Sequence, residues 1–257
     1  ASSTAGDPAT SDEFDVSADL DSARLVFTIQ PTNTVAGSVI NAGSGVEVTL
    51  EDQYTNIIDS TANVDIAPDH GSFASGTTTQ AMSGGIATFS DLVITAADTY
   101  TLDASSTAGD PATSDEFDVS AAAANHLKVT GNSTMDAGTT NELTITAYDQ
   151  FDNVADSYAG LKSLIFSGLG NAPDGTIPTI EGIDLGAGTA INFTSGISDA
   201  GAATLIAYKA ETASLDVTDG TLDTFGDPSY DLDLTVNPGS ANSLVFVQQP
   251  ADTNQDD

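Results

Sequence analysis

An all-β fold built from repeated β-sandwiches is predicted by three features of the sequence. The first is a duplication. Residues 1–18, ASSTAGDPATSDEFDVSA, return letter for letter as residues 104–121, an identity too long to come from composition and one that has to be read before any other signal. The second is a series of short runs in which apolar and polar residues alternate, the period of a half-buried strand, with weak helical periodicity throughout. The third is the punctuation between those runs, which is Gly, Ser, Asn and Asp, the residues that make turns.

Taken in order, EFDVS at residues 13–17 places Phe14 and Val16 on one face and reads as a strand. SARLVFTIQP follows, with Leu25, Phe27 and Ile29 inward and Pro31 ending the run, as a first strand. Next come VEVTLED with Val46, Val48 and Leu50 inward, the polar turn DQYTN, ANVDIA with Val64 and Ile66, and GIATFSDLVI. The series ends with DTYTLDAS, in which Tyr100, Leu102 and Ala104 share a face, and the second EFDVS. About seven alternating strands in about 100 residues is the pattern of an immunoglobulin-like sandwich, here with no Cys pair and no Trp.

A second unit starts near Ala122. HLKVTG places Leu127 and Val129 as RLVFTI places Leu25 and Phe27, and ELTITAYDQFDN parallels VEVTLEDQYTN. Asp52, Gln53, Tyr54 and Asn56 thus stand beside Asp149, Gln150, Phe151 and Asn153. The unit closes on SYDLDLTV, with Tyr230, Leu232, Leu234 and Val236 expected inward and Asp231 and Asp233 outward. SANSLVFVQQP then repeats the first strand of the first unit, Leu244 and Phe246 standing for Leu25 and Phe27. The expected boundaries are residues 1–17 as the last strand of a preceding domain, 18–121, 122–238 with an insertion near 169–189, and 239–257 as the first strand of a following domain. Such ends suggest a window from a longer tandem array, or a subunit whose end strands are completed by its neighbours. Short junctions, one carrying Pro238 with its fixed φ, predict a semi-rigid, elongated rod.

Composition limits the partners. The 257 residues hold 38 Asp plus Glu against 4 Lys plus Arg, for a net charge of −34, which repels nucleic acid and anionic lipid and leaves cations as the natural counterpart. No apolar run is long enough to span a bilayer, and with no cysteine there is neither a disulfide framework nor a thiolate metal site.

Catalytic candidates are few. His70 and His126 are the two histidines and occupy different units; a triad of His70, Asp69 and Ser72 lacks the surrounding pattern of a nucleophile site. Carboxylates are too numerous for any pair to indicate acid–base chemistry, so the chain is read as a non-enzyme. Calcium has one candidate place: Asp15, Asp19 and Asp21 in EFDVSADLDSAR concentrate hard oxygen ligands between two strands. The second junction, AAAANH, lacks them. The Asp-rich turns at 52–56 and 149–156 read instead as local caps, in which Asp and Asn side chains bond nearby backbone. Asn132-Ser133-Thr134 and Asn192-Phe193-Thr194 match glycosylation acceptors.

LVFTIQPTNTVAG, the DQYTN turn, GIATFSDL with DTYTL, and NPGSANSLVF resemble the bacterial immunoglobulin-like (Big, invasin-type) tandem repeats of giant extracellular adhesins and surface fibre proteins. The resemblance implies an extracellular, cell-surface protein whose domains serve as a shaft or extender, or build a filament. Its partners would be neighbouring repeats of the same polypeptide or of adjacent subunits. Two other roles are compatible: an adhesive module recognising glycan through loops of the second unit, where GLGNAPDGTIPTIEGIDLGAGT forms a polar, Gly-rich insertion, and a non-catalytic spacer of a larger secreted enzyme.

Overall fold

The computed structural model describes residues 12, 13, 15, 17–244 and 248. The strand expected at 13–17 turns on Phe14 and Val16, and the one expected from Leu244 on Val245 and Phe246; these four positions lie outside the described residues, and Leu244 does not. The chain divides into two compact units, Ala1–Ser120 and Ala121–Asp257.

In the first unit, a 3-10 turn at Leu20–Ser22 leads into β1 (Arg24–Ile29), β2 (Thr34–Val35), β3 (Val46–Glu51), β4 (Asn63–Pro68) and β5 (Thr79–Ala81). There follow β6 (Ile86–Phe89), β7 (Asp98–Tyr100), β8 (Leu102–Ser106), β9 (Gly109–Thr113) and β10 (Phe117–Ser120). One sheet runs β5-β4-β8-β9-β1-β3-β6 and the other β2-β10-β7. Because side chains alternate along a strand, Leu25 and Phe27, Val46, Val48 and Leu50, Val64 and Ile66, and Tyr100, Leu102 and Ala104 all enter the core, as their spacing predicts. Ile29 does not: the register of β1 against β3 shifts between Phe27 and Ile29, and this residue is left half-buried.

The repeated stretch folds into more than the sequence suggests. In its second copy, SSTAGDPAT, between DTYTLDAS and EFDVS, closes a hairpin, β8 and β9, with Ala104 opposite Ala112 and Ser106 opposite Gly109. Pro111 sits inside β9, a position a proline can hold only where its missing N–H is not needed by a ladder. On its other side β9 meets β1 at one pair, Arg24 with Asp110. Gly109 makes the approach feasible, since a Cβ there would lie 2.6 Å from Leu50 Cδ1 and 2.9 Å from the Ala23 carbonyl oxygen.

The second unit contains β11 (His126–Thr130), β12 (Thr134–Asp136), β13 (Thr140–Glu142), β14 (Thr144–Tyr148), β15 (Gly160–Ser167) and β16 (Thr179–Ile180). These are followed by β17 (Ile183–Asp184), β18 (Gly188–Thr194), β19 (Ile197–Ser198), β20 (Thr204–Ile206), β21 (Glu211–Thr218) and β22 (Leu232–Asn237). The order is β11-β14-β19-β18-β15-β21-β22-β12 in one sheet and β13-β20-β16-β17 in the other. Phe166, Phe193, Ile145, Leu164, Leu205 and Leu234 fill the space between them. Each unit is thus an all-β, immunoglobulin-like sandwich.

Asp231 departs from its expected outward position. It is half-buried, its Oδ1 is shut off from solvent without a hydrogen-bond partner, and it lies just before β22, beside Asp216 of β21. Two carboxylates held side by side repel when both are ionised. Burial, and then the adjacent Asp231, push the Asp216 carboxyl up to about 6. The folded state therefore holds this proton more tightly than the unfolded chain, and the associated stability, complete below about pH 4, is lost as pH rises to about 6. Asp216→Asn is expected to raise stability near pH 7.5 by about 1 kcal/mol after allowance for solvent screening. The gain should shrink toward zero near pH ~3.5; urea unfolding at both pH values checks it.

Candidate functional site

Both units begin at the same device. In the first, Asp52 is 1% exposed; its Oδ1 accepts the N–H groups of Tyr54 and Asn56, both at 2.9 Å. Its Oδ2 accepts the Asn56 side-chain amide at 2.9 Å and the backbone N–H of Asp19 at 3.1 Å. In the second, Asp149 is fully buried. It accepts from Phe151 N at 2.8 Å, Asn153 N at 2.9 Å, Asn153 Nδ2 at 2.8 Å and Ala122 N at 2.8 Å. Between the two, Thr55 and Asp152 take the same left-handed backbone, φ 67° and 65°. The local cap read from DQYTN and DQFDN is therefore present, and it reaches further than a cap. Each carboxylate also fastens the segment that leads into its unit.

A carboxylate with that many donors is held ionised. The Asn56 side chain, above all, lowers Asp52 to about 2. For Asp149, burial pushes upward, but the bonds from Asn153, Ala122 and Phe151 prevail and the carboxyl stays below its ordinary value. Neither group is available as an acid or base near neutrality.

Of the proposed calcium ligands, Asp19 caps the 3-10 turn. Its Oδ1 accepts Asp21 N at 3.1 Å, and its Oδ2 accepts Ser22 Oγ at 3.1 Å and Gln53 Nε2 at 3.2 Å. Asp15 and Asp21 are exposed. Among the described residues no group of three or more His, Asp or Glu side chains converges as metal ligands do.

The imagined triad is not assembled either. His70 Nδ1 faces Asp69 at 3.0 Å and Nε2 faces Asp98 at 3.5 Å, with the ring stacked on Tyr100 at 4.4 Å. Each nitrogen already meets a carboxylate. The bond from Asp69, foremost, raises the pKa of His70. Of the glycosylation acceptors, Asn192 donates its amide nitrogen to Asp199 at 2.7 Å.

The insertion is structured. Its β16–β17 hairpin turns at Glu181 and Gly182, both with positive φ, pairs with β20 through Thr179 opposite Ile206, and drives Ile180 into the core at 1% exposure. It widens the second sheet.

One cluster was missed in the sequence. His126 and Tyr148 are directly opposed on β11 and β14, and the imidazole lies between two phenol rings, 5.6 Å from Tyr148 and 4.0 Å from Tyr230, nearly parallel to both. Tyr230, expected in the core, instead forms one side of this stack. His126 is 9% exposed, its Nε2 is buried without a hydrogen-bond partner, and the nearest carboxylate oxygen, on Asp152, is 3.6 Å away. Burial lowers its pKa against the pull of Asp152, Asp149 and Asp227. The alignment of DQFDN with DQYTN puts Tyr148 at the place of Glu51 and His126 at that of Arg24, but that these places face each other, as Arg24 and Glu51 do in the first unit, is a matter of strand register.

No protein-family model matches the chain, and no curated protein matches it. Among solved structures the chain is similar to the Yersinia pseudotuberculosis adhesin InvE, at 16% identity over 86% of this chain and 60% of that one, with a TM-score of 0.33. It is similar to a β-glycosidase from Bacteroides vulgatus at 15% identity, 84% and 25% coverage and a TM-score of 0.31. It is also similar to domains 1–6 of the surface layer protein SbsC, at 12% identity, 89% and 29% coverage and a TM-score of 0.29. The chain thus spans 60% of the adhesin and about a quarter of the glycosidase.

Proposed function

We propose that the chain is a length-giving segment of an extracellular, surface-attached repeat protein, a shaft whose partners are neighbouring repeats. The observation that carries this reading is the clamp found twice, Asp52 on Asp19 N and Asp149 on Ala122 N. Here the entering segment of each unit is tied by a charge-assisted hydrogen bond to a buried carboxylate beside the first long strand pair, so tension along the chain passes into the sheet rather than into the turn. Stacked units with short connections add length without a new fold.

Small-angle scattering from polypeptides carrying one, two and three tandem copies of the 257-residue sequence tests the proposal. A maximum dimension that increases by a constant step per copy, independent of concentration, supports a shaft. A dimension that grows as a flexible coil, roughly as the square root of copy number, overturns it. Repeating the measurement with CaCl2 and with EDTA asks whether Asp15, Asp19 and Asp21 stiffen the first junction. Calcium there would have to replace the bonds Asp19 now accepts from Ser22 and Gln53.

A further inference from the structure

Beside the His126 stack is a cavity of about 440 Å³, lined by His126, Tyr148 and Tyr230 together with Lys128, Asp152 and Asp227. Its size falls within the range of small-molecule sites. A buried imidazole nitrogen with no hydrogen bond carries a desolvation cost that an ordinary packing residue would not. Here that nitrogen belongs to a ring fixed on both sides by tyrosines. The first unit has the same strand pair with Arg24 opposite Glu51, so the aromatic wall belongs to the second unit alone and does not follow from the fold.

The wall chemistry selects the ligand. Asp152 and Asp227 outnumber Lys128 in a chain of net charge −34, which disfavours an anion, while Lys128 on the same wall opposes a bare cation. Two carboxylates, an ammonium, two phenols and an imidazole instead offer acceptors and donors in alternation around ring surface. That combination suits a neutral molecule with several hydroxyl groups and one apolar C–H face: hydroxyls pair with the carboxylates and the Lys128 ammonium, and the partly positive C–H hydrogens lie against the negative π-system. Asp227 Oδ1 takes the Ser229 N–H at 2.9 Å, which fixes that carboxylate in place. We propose that the cavity bounded by His126, Tyr148, Tyr230, Asp152 and Asp227 is a saccharide-binding subsite of the second unit. It lies apart from the insertion at 169–189 and is independent of the shaft reading above.

The test is saturation-transfer NMR on the full chain with methyl α-D-glucopyranoside, methyl β-D-galactopyranoside and N-acetyl-D-glucosamine, each at millimolar concentration, alongside the imidazole proton signals of both histidines. The expected result is transfer to the ring C–H protons of at least one sugar, with a shift of the His126 signal and none at His70. Asp152→Asn, whose side chain is 76% exposed and whose replacement leaves the core untouched, should weaken binding about fivefold, the worth of one hydrogen bond. Tyr230→Ala should abolish it, with the near-unchanged circular dichroism of Asp152→Asn guarding against a folding artefact. The proposal is overturned by absence of transfer from all three sugars, by transfer that Asp152→Asn leaves unchanged, or by a His126 shift produced by ZnCl2 alone, which would make the site a cation site. Presenting the responding sugar as a free glycoside and as an immobilised polysaccharide distinguishes a soluble from a surface-borne source.

Discussion

Asp149→Ala is expected to destabilise the second unit by about 4 kcal/mol, the largest loss from any single polar side chain in that unit, because it strands several buried donors at once. The carboxylate accepts from Phe151 N, Asn153 N, Asn153 Nδ2 and Ala122 N, and alanine leaves room but no acceptor. Urea unfolding followed by the unit's tyrosines measures it. A loss under ~1 kcal/mol, the worth of one ordinary net hydrogen bond, would mean the clamp is incidental. Asp149→Asn keeps the shape but turns part of the acceptor into a donor facing donors, and should fall between alanine and the native residue. The clamp also sets an acid limit. With folded values below those of the unfolded chain, its stabilisation is complete above about pH 4 to 5 and is lost as pH falls toward the Asp52 value of about 2.

Gly168→Ala should be nearly as damaging, at roughly 3 kcal/mol or more, and for a reason of backbone rather than charge. Gly168 follows the last residue of β15 with φ +104°, and a Cβ there would collide with the carbonyl oxygen of Ser214 on β21. The neighbour is backbone held in a ladder, so it cannot step aside. The chain would have to leave β21 at the point where the insertion begins, loosening the path to β16 and the Ile180 anchor. Hydrogen exchange at the β16 amides is the readout: faster exchange there than in β18 is expected. Equal rates in both strands, with stability unchanged, would show that the turn tolerates a side chain.

Much of this architecture was legible locally. Alternation alone placed Leu25 and Phe27, Val46, Val48 and Leu50, and Leu127 and Val129 on the core face, because a strand's two faces are fixed by a period of two that needs no knowledge of its neighbours. The DQYTN and DQFDN turns were readable as caps for the same reason: the bonds Asp52 accepts from the N–H groups of Tyr54 and Asn56 span only a few residues. Site chemistry was less legible. The proposed ligand set of Asp15, Asp19 and Asp21 came from proximity in sequence, whereas Asp19 spends its carboxylate on a turn and on Gln53.

By itself, then, the sequence determined two repeated sandwich units, the faces of their strands and the turns that join them, since each depends on contacts between near neighbours. Only the tertiary structure decided that SSTAGDPAT closes as a hairpin on β1, that Asp231 is pressed against Asp216, that each buried carboxylate reaches the segment entering its unit, and that Tyr148 and Tyr230 enclose His126. Those four outcomes depend on register between strands far apart in the chain. One residue of slip would exchange a strand's buried and exposed faces, and no local pattern specifies which distant strand supplies the partner.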